Sequence, residues 1–300
     1  MDRIGVDLGG TKTEVAVIDS RGQTHFSERA PTPRDYNAKI RLIAELVQKA
    51  GQAAGSDSLT VGIGHPGSLN PQTGLMRNAN STELNGYPLD RDIEQALGRA
   101  VRCANDANCF ALSEARDGAG KDAGSVFGVI LGTGVGGGIV VGGQLWEGTS
   151  RLGGEWGHTA LPWPSPAEVP GPACQCGLKG CLESWISGPA ISADHLRATG
   201  ETCSADEIMA AAETGDQAAQ STRDRFEDRL ARGLATVINI LDPEIIVLGG
   251  GLSNITGLSA RVERRLPAYV FSDQVTTRIR RNAHGDSSGV RGAAWLWPLP

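Results

Sequence analysis

Apolar residues occur along this chain in short runs that glycines interrupt. The run Val126–Leu131 stops at Gly132, Thr133 and Gly134 and then resumes as far as Val141. Short apolar runs bounded by turn residues are typical of buried strands, so this pattern predicts strand, glycine turn, strand. Without a Cβ, glycine lets backbone N–H groups come close to an anion.

The start of the chain repeats this pattern. Arg3–Leu8 is predicted as a strand and Glu14–Asp19 as the strand that returns beside it. The turn between them contains Gly9, Gly10, Thr11 and Lys12. Two glycine-turn hairpins in one chain indicate two related lobes that face one phosphate chain.

The second turn also fits another phosphate-binding pattern. Gly132, Gly134 and Gly137 satisfy G-x-G-x-x-G, and Glu155 lies near the expected acidic position. A dinucleotide-binding Rossmann unit needs a helix directly after this turn. The segment that follows, IVVGGQLW, is β-branched and predicts a strand, which argues against that alternative.

Periodicity predicts the other elements. Apolar residues at helical spacing indicate helices, and short apolar runs indicate strands. Beyond the hairpins, the predicted strands are Gln23–Ala30, Leu59–Gly64, Val101–Ala104, Glu244–Leu248 and, at a sheet edge, Thr276–Ile279; the predicted helices are Asp35–Gly51, Arg91–Arg99, Asn105–Ala115, Ala205–Glu213, Thr222–Leu241, Leu258–Leu266 and Gly289–Leu296.

Several predicted turns carry candidate binding residues, each with a structural alternative. His65–Ser68 follows a strand, where ligands bind in α/β sheets, but it is equally well a plain loop. NANSTELNG, residues 78–86, is typical of a turn. Asp106 opens a helix and is on that evidence a candidate N-cap. Gly249–Gly251 joins a strand to a helix, which suits either a nucleotide or a tight turn.

Composition excludes some functions. The chain has 300 residues, enough for two domains, and a net charge of −6, which gives no electrostatic basis for binding nucleic acid. No apolar run is long enough to span a bilayer, and strand-forming residues begin at Arg3, leaving no room for a signal peptide. We therefore expect a cytoplasmic protein without a membrane partner.

Three of the six cysteines lie close together in the loop CQCGLKGCLE. Cys174, Cys176 and Cys181, together with His158, form a Cys₃His set, which is typical of a closed structural zinc site. A buried thiol cluster without metal is the alternative. The remaining cysteines, Cys103, Cys109 and Cys203, are scattered and are expected to be reduced thiols.

Four segments together resemble the ROK family of sugar kinases and repressors. They are DLGGTK at 7–12, LGTGVGGGIVVGG, GEWGH and the cysteine loop. PTPRD, NANST and HGDSSGVRGAAWLWP look most like the family's fructokinases, also called mannofructokinases. NDANCFALSEA is shared with its N-acetylglucosamine kinases.

The resemblance implies an α/β, actin-like ATPase (ribonuclease H-like) fold with two lobes and an intervening cleft. The N-terminal small lobe would comprise residues 1–115 and 288–300, and the C-terminal large lobe residues 116–287 with the zinc loop. The C-terminal helix would return to pack on the first lobe.

The resemblance also implies roles for individual residues. Asp106 matches the catalytic aspartate, and His65 stands where the family more often has an apolar residue. Positions matching the sugar site are Gly67, Asn80, Asn105, Asp106, Glu155, His158 and Glu183; those matching the nucleotide site are Asp7, Gly9, Gly10, Thr11, Lys12, Gly132, Thr133, Gly134, Gly249, Gly250 and Gly251.

These residues predict an ATP-dependent hexokinase that uses Mg²⁺ and phosphorylates the 6-hydroxyl of fructose, with mannose or glucose as further substrates. Asp106 would be the general base, and a structural Zn²⁺ and a homodimer are also expected. The closest alternative is an N-acetylglucosamine kinase. A ROK-type repressor is a distant one, because such repressors carry a helix-turn-helix before the first strand. An actin-like assembly or chaperone ATPase would not need GEWGH beside a zinc loop.

Overall fold

The computed structural model describes residues 2–298 and shows an α/β protein. Among these residues no helix is long and apolar enough to cross a bilayer. The strands, in chain order, are β1 Arg3–Leu8, β2 Lys12–Ile18, β3 Thr24–Pro31, β4 Thr60–His65, β5 Ser68–Leu69, β6 Met76–Arg77, β7 Val101–Asn105, β8 Ser125–Leu131, β9 Val135–Val141, β10 Gln144–Leu145, β11 Ile245–Gly249 and β12 Arg278–Arg281.

Helices separate and follow these strands. Asp35 caps the first of them by accepting the N–H of Ala38, and Ser204 caps the sixth in a capping box with Glu207. The helices are α1 Tyr36–Ala53, α2 Leu89–Leu97, α3 Asp106–Asp117, α4 Glu183–Ile186, α5 Gly188–Thr199, α6 Ala205–Glu213, α7 Gln217–Leu241, α8 Leu258–Glu263 and α9 Ser288–Ala294.

The larger sheets share one plan. The first has the order β3-β2-β1-β4-β7, in which β1 pairs antiparallel with β2 and parallel with β4. The second has the order β10-β9-β8-β11-β12, with β8, β11 and β12 parallel. In both sheets, a hairpin with a glycine turn stands next to parallel strands. Both hairpins were predicted from the sequence.

The chain divides into two compact units. Unit 1 contains the residues up to Asp122, Gly138–Gly153 and those from Ala283 onward; unit 2 contains Ala123–Gly137 and Gly154–Asn282. The predicted α/β class with two lobes is therefore confirmed. The lobe bounds given above stay a prediction, and residues 1, 299 and 300 of the predicted small lobe lie outside the described residues.

Within unit 1, α9 packs against β1, β4 and α3. Gly5 on β1 and Gly62 on β4 allow this close approach, because a Cβ at either position would overlap the backbone oxygen of Val290 or Ala293. On α9 itself, a Cβ at Gly292 would overlap the backbone of Cys109 in α3. The C-terminal helix is thus a close-packed part of unit 1, as the family resemblance implied.

A strand follows the second glycine turn, which confirms the predicted strand and excludes the Rossmann alternative. The structure corrects other sequence predictions. The helix predicted over Leu258–Leu266 ends at Glu263, before a short turn that contains Pro267. Lys12, predicted in the turn, is the first residue of β2. Helix α5 was not predicted.

Candidate active site

The first glycine turn closes on itself in unit 1. The N–H of Gly9 donates to the carbonyl oxygen of Lys12 at 3.1 Å, so the turn brings Gly10 and Thr11 to the end of β1. A Cβ on Gly10 would lie 3.2 Å from the hydroxyl oxygen of Ser81. The predicted phosphate turn therefore lies beside the NANST segment, next to Asn80.

Asp7 occupies the end of β1, where the pKa of its carboxyl is raised to about 7. Burial is the largest cause, and the negative charges of Asp106 and Glu14 add to it. Lys12 and Arg29 act in the opposite direction. This is a site with excess negative charge, which suits a cation.

Asn105 ends β7 and organises the neighbouring strand end. Its Nδ2 donates to the carbonyl oxygen of Gly67 at 3.0 Å, and its Oδ1 accepts the N–H of Ala107 at 2.9 Å. Asn105 is therefore the N-cap of α3 and Asp106 is the first helical residue. The alternative in which Asp106 is the N-cap is therefore wrong. The Oδ1 of Asp106, an exposed residue, also accepts the N–H of Ala107, at 2.8 Å.

The loop that carries Asn80 is fixed by its own side chains. Asn85 accepts the N–H of Ala79 at 3.0 Å and donates to the carbonyl oxygen of Ala79 at 3.2 Å. Gly67 has a φ of +70°, and a Cβ there would come within 2.6 Å of the nitrogen of Ala79. Gly67 thus packs directly on the Asn80 loop, and only glycine fits.

A buried lysine forms an ion pair with the same loop. Lys39 in α1 is 1% exposed, and its Nζ donates to Glu83 Oε1 at 2.6 Å. A buried ammonium needs such a partner, because an unpaired charge in the interior is costly. The pair joins α1 to the turn just after Asn80. Lys39 lies within the helix predicted over Asp35–Gly51.

His65 is the last residue of β4 and is in register with Asn105 of β7. It is 1% exposed, and its Nδ1 lies 3.1 Å from the carbonyl oxygen of Pro66. Burial lowers the pKa of His65 to about 4, so the imidazole is neutral at pH 7. At this position, where the family more often has an apolar residue, the chain therefore has a buried and uncharged histidine.

The second glycine turn is part of unit 2. Gly132 donates to the carbonyl oxygen of Gly134 at 3.0 Å and accepts the N–H of Gly188, the first residue of α5, at 2.8 Å. The N–H of Val135 donates to Glu183 Oε2 at 2.9 Å. Glu183 therefore lies against the turn that contains Thr133, and the other carboxylate oxygen accepts from Gln175 in the cysteine loop.

The triple glycine lies beside this turn. Gly249 ends β11, Gly250 has a φ of +77°, and Gly251 begins a short 3₁₀ helix. A Cβ on Gly250 would overlap the carbonyl oxygen of Leu131, the last residue of β8. The structure thus brings together two of the predicted nucleotide-binding segments.

Unit 2 also holds the remaining predicted sugar residues. Glu155 is exposed, whereas Trp156 is buried and its Nε1 donates to the carbonyl oxygen of Gly136 at 3.0 Å. Trp156 therefore anchors the GEWGH segment to β9, with Glu155 and His158 at either end of a 3₁₀ turn. A Cβ on Gly157 would overlap the carbonyl oxygen of Val135.

The predicted zinc ligands lie close together in unit 2. One ligand atom from each of His158, Cys174, Cys176 and Cys181 lies within 4.8 Å of the others. Cys174 Sγ is 3.5 Å from His158 Nδ1, and Cys176 Sγ is 3.6 Å from Cys181 Sγ. With Zn–S near 2.3 Å and Zn–N near 2.0 Å, tetrahedral ligands lie roughly this far apart, so the set fits zinc.

An ionic network that the sequence did not reveal anchors the segment before the cysteine loop. Glu168 accepts from Arg229 at 2.8 Å and from Arg232 at 2.9 Å, both on α7. Burial alone would raise the pKa of Glu168, but hydrogen bonds from these arginines lower it to about 2. Arg229 also donates to Asp194 of α5 at 2.9 Å. The network stabilises the charged form of both carboxylates.

The family model of the ROK family matches residues 3–299, so the chain belongs to the ROK family. It is 41% identical to an N-acetyl-D-glucosamine kinase of Escherichia fergusonii over 297 residues, covering 97% of this chain and 98% of the relative. It is 40% identical to an N-acetyl-D-glucosamine kinase of Salmonella typhimurium over the same length and coverage.

Solved ROK structures are also similar to this chain. A ROK hexokinase from Thermus thermophilus has a TM-score of 0.87 at 32% identity, covering 99% of this chain and 97% of that one. A ROK glucokinase from Streptomyces griseus, in complex with glucose and AMPPNP, has a TM-score of 0.79 at 29% identity, covering 99% of each. These similarities confirm the predicted actin-like ATPase fold.

Proposed function

We propose that this chain is an N-acetyl-D-glucosamine kinase that transfers the γ-phosphate of ATP to the 6-hydroxyl of the sugar. The observation that supports a kinase activity is the arrangement of residues at the start of α3. Asn105 caps the helix and is tied to Gly67, and Asp106 is the first helical residue, with its Oδ1 accepting the N–H of Ala107 at 2.8 Å. A carboxylate thus lies at the start of α3, beside the end of β7, and we assign proton transfer to it.

The identity of the sugar rests on the relatives. Identity of 40–41% over nearly the whole length to N-acetyl-D-glucosamine kinases supports this substrate over fructose. Fructose is the second candidate, because NANST and HGDSSGVRG look like the fructokinase segments of the family. A repressor function is a weaker candidate, since the chain has a net charge of −6.

Phosphoryl transfer depends on positioning and on neutralising phosphate charge. When bound with ATP, Mg²⁺ would supply that neutralisation, and the carboxylate of Asp7 offers the oxygen ligand that Mg²⁺ prefers. We assign the backbone N–H groups around Gly10, Thr11, Thr133 and Gly134 to the phosphates. Gly249–Gly251 would accept the rest of the nucleotide.

In the chemical step the sugar O6 forms a bond to the γ-phosphorus, and the bond from that phosphorus to the β–γ bridging oxygen breaks. The leaving group is ADP. As the bond forms, the O6 proton passes to a carboxylate oxygen of Asp106, which later releases it to solvent. Asn105, through its link to Gly67, holds the strand end on which the sugar would lie.

We assign His158 two roles that use different nitrogens. Its Nδ1 faces Cys174 Sγ, which leaves Nε2 to meet a sugar hydroxyl. Zinc bound by His158 and the three cysteines would fix the ring orientation, so the metal is structural. Glu155, Glu183 and Asn80 would bind further hydroxyls; a site built to bind hydroxyls discriminates against sugars that lack them.

Phosphorus NMR of the product tests this proposal. The enzyme should convert ATP and N-acetylglucosamine to ADP and a 6-phosphomonoester, and it should leave 6-deoxy-N-acetylglucosamine unchanged. A phosphomonoester formed from the 6-deoxy sugar would contradict the assigned position. Failure to phosphorylate any hexose would contradict a kinase. The homodimer stays a prediction, which light scattering of the purified protein can check.

A further inference from the structure

A second group of metal-binding side chains lies in unit 2, at the junction between α5 and α6. It consists of His195, Glu201 and Cys203, and one ligand atom from each lies within 4.8 Å of the others. His195 is on the last turns of α5, and the other two are on the five-residue link to α6. None of the three belongs to the proposed kinase site or to the cysteine loop.

The hydrogen bonds of His195 fix which ring nitrogen is available. Its Nδ1 lies 2.9 Å from Thr222 Oγ1, and His195 is 4% exposed. The Thr222 hydroxyl donates to the carbonyl oxygen of Ala218 at 3.1 Å and accepts from Arg225 Nη2 at 3.0 Å. Thr222 therefore accepts from Nδ1–H, and the lone pair is on Nε2. Metal-binding histidines are commonly oriented by such a bond on the other nitrogen.

The link holds the other two side chains near this imidazole. Gly200 ends α5 with a φ of +81°, which turns the chain back. Thr199 Oγ1 donates to the carbonyl oxygen of His195 at 2.8 Å and accepts the N–H of Glu201 at 3.0 Å. Cys203 directly precedes the capping box that begins α6. The loop is therefore anchored at both ends.

We propose that His195, Glu201 and Cys203 bind one zinc ion, with water in the remaining position. Imidazole, thiolate and carboxylate together suit Zn²⁺, whereas Mg²⁺ and Ca²⁺ prefer oxygen ligands alone. The thiolate and the carboxylate balance the charge of the ion. Arg225, which donates to Thr222, has its Nε 2.7 Å from Asp194 Oδ2, a carboxylate that it shares with Arg229.

This zinc would connect the C-terminal end of α5 to the start of α6. A ligand that binds the folded state and not the unfolded state stabilises the fold in proportion to the logarithm of its concentration. The site shares no residue with the proposed kinase site or with the cysteine loop. Its test therefore uses metal binding, and the loss of kinase activity plays no part in it.

The experiment titrates chelator-treated protein with Zn²⁺ against a chromophoric chelator. Wild-type protein should bind one equivalent at this site in addition to any held by the cysteine loop. Cys203→Ser should lose that equivalent, and Glu201→Gln should weaken it roughly tenfold or more. Glu213→Gln, which removes an exposed carboxylate at the far end of α6, is the matched control and should bind as wild type does.

The Cys176→Ser background separates the two sites, because it removes a ligand of the cysteine loop only. Co²⁺ added to this variant should give a thiolate-to-metal charge-transfer band that loses intensity when Cys203→Ser is added; any band that remains comes from Cys174 and Cys181. A titration in which wild type and Cys203→Ser bind the same number of equivalents with the same affinity would overturn the proposal. So would a charge-transfer band whose intensity is unchanged by Cys203→Ser in that background.

Discussion

The amide nitrogen of Asn105 donates a hydrogen bond to the carbonyl oxygen of Gly67 at 3.0 Å. The amide oxygen of the same side chain caps α3. One residue therefore joins the end of β7 to the turn after β4 and starts the helix on which Asp106 stands. Asn105 therefore has a structural role, and the chemical role is the one we propose for its neighbour.

Asp106→Asn separates chemistry from folding. The substitution keeps the size of the side chain and leaves the Asn105 cap in place, so the fold should be unchanged. Loss of the proton acceptor should lower kcat roughly 10²-fold or more. Steady-state kinetics with circular dichroism on the same samples measures both effects.

Asp206→Asn, an exposed carboxylate in the first turn of α6, is the matched control and should retain full activity. If folded Asp106→Asn protein turned over at a rate close to that of wild type, another group would have to be the base.

Removal of a cysteine-loop ligand should release zinc. Cys176→Ser should lose the ion bound with His158, Cys174 and Cys181, and unit 2 should become less stable because the metal contributes to folding. Atomic emission measures the metal, and thermal unfolding measures the stability. Cys103→Ser, at a thiol in β7, should keep the metal. The absence of any zinc that depends on Cys176 would show that the cluster is made of thiols alone.

The raised pKa of Asp7 predicts that the stability of the fold depends on pH. Its pKa is near 3.8 in the unfolded chain and about 7 in the fold, so the folded state favours the neutral form. The stability contributed by that form is fully present below the unfolded pKa and is lost as pH rises toward 7. Asp7→Asn should therefore gain stability over wild type between pH 4 and 7, on the order of 2 kcal/mol after allowance for solvent screening.

Urea unfolding at pH 5 and pH 8 without Mg²⁺ measures this difference. The gain should be larger at pH 8, and the same variant should be inactive if Asp7 serves the nucleotide. An equal difference in the free energy of unfolding at both pH values would mean that Asp7 does not titrate in this range.

Because α9 packs closely on β4, one methyl group added to β4 should strongly lower the stability of the fold. A Cβ on Gly62 would overlap the backbone oxygen of Ala293, so Gly62→Ala should lower the free energy of unfolding by about 2 kcal/mol or more. Gly251→Ala is the control, because a Cβ there meets no atom within 4 Å and should leave stability unchanged. Urea unfolding of both variants compares them directly. Equal stability would mean that α9 packs more loosely on β4.

The parts of the fold that could be predicted were those determined by local patterns. Apolar runs broken by glycines located both hairpins, and the apolar periodicity of Thr222–Leu241 located most of α7. Helix α5 was missed because its apolar residues are few and a glycine and a proline open it. Asp106 was a candidate for the cap of α3 because Asn and Asp both favour that position, and only backbone geometry separates adjacent residues.

Contacts between residues that are far apart in the sequence could not be predicted from it. Nothing in the spacing of Lys39 and Glu83 indicates an ion pair, because the rest of α1 and the three strands β4 to β6 separate them. Cys203 was expected to be an ordinary thiol because it is far from the other cysteines in the sequence, whereas in the structure it lies close to His195 and Glu201. The cysteine loop was predicted correctly as a cluster because three of its ligands lie within eight consecutive residues.

A competition reaction tests the central claim most directly. The enzyme is given ATP, Mg²⁺ and equal concentrations of N-acetylglucosamine and fructose, and mass spectrometry measures the two sugar phosphates at low conversion. Their ratio equals the ratio of the two kcat/KM values. We predict that N-acetylglucosamine 6-phosphate is the main product. A mixture in which fructose phosphate dominates would contradict the proposed substrate, and the absence of both products would contradict a kinase of these sugars.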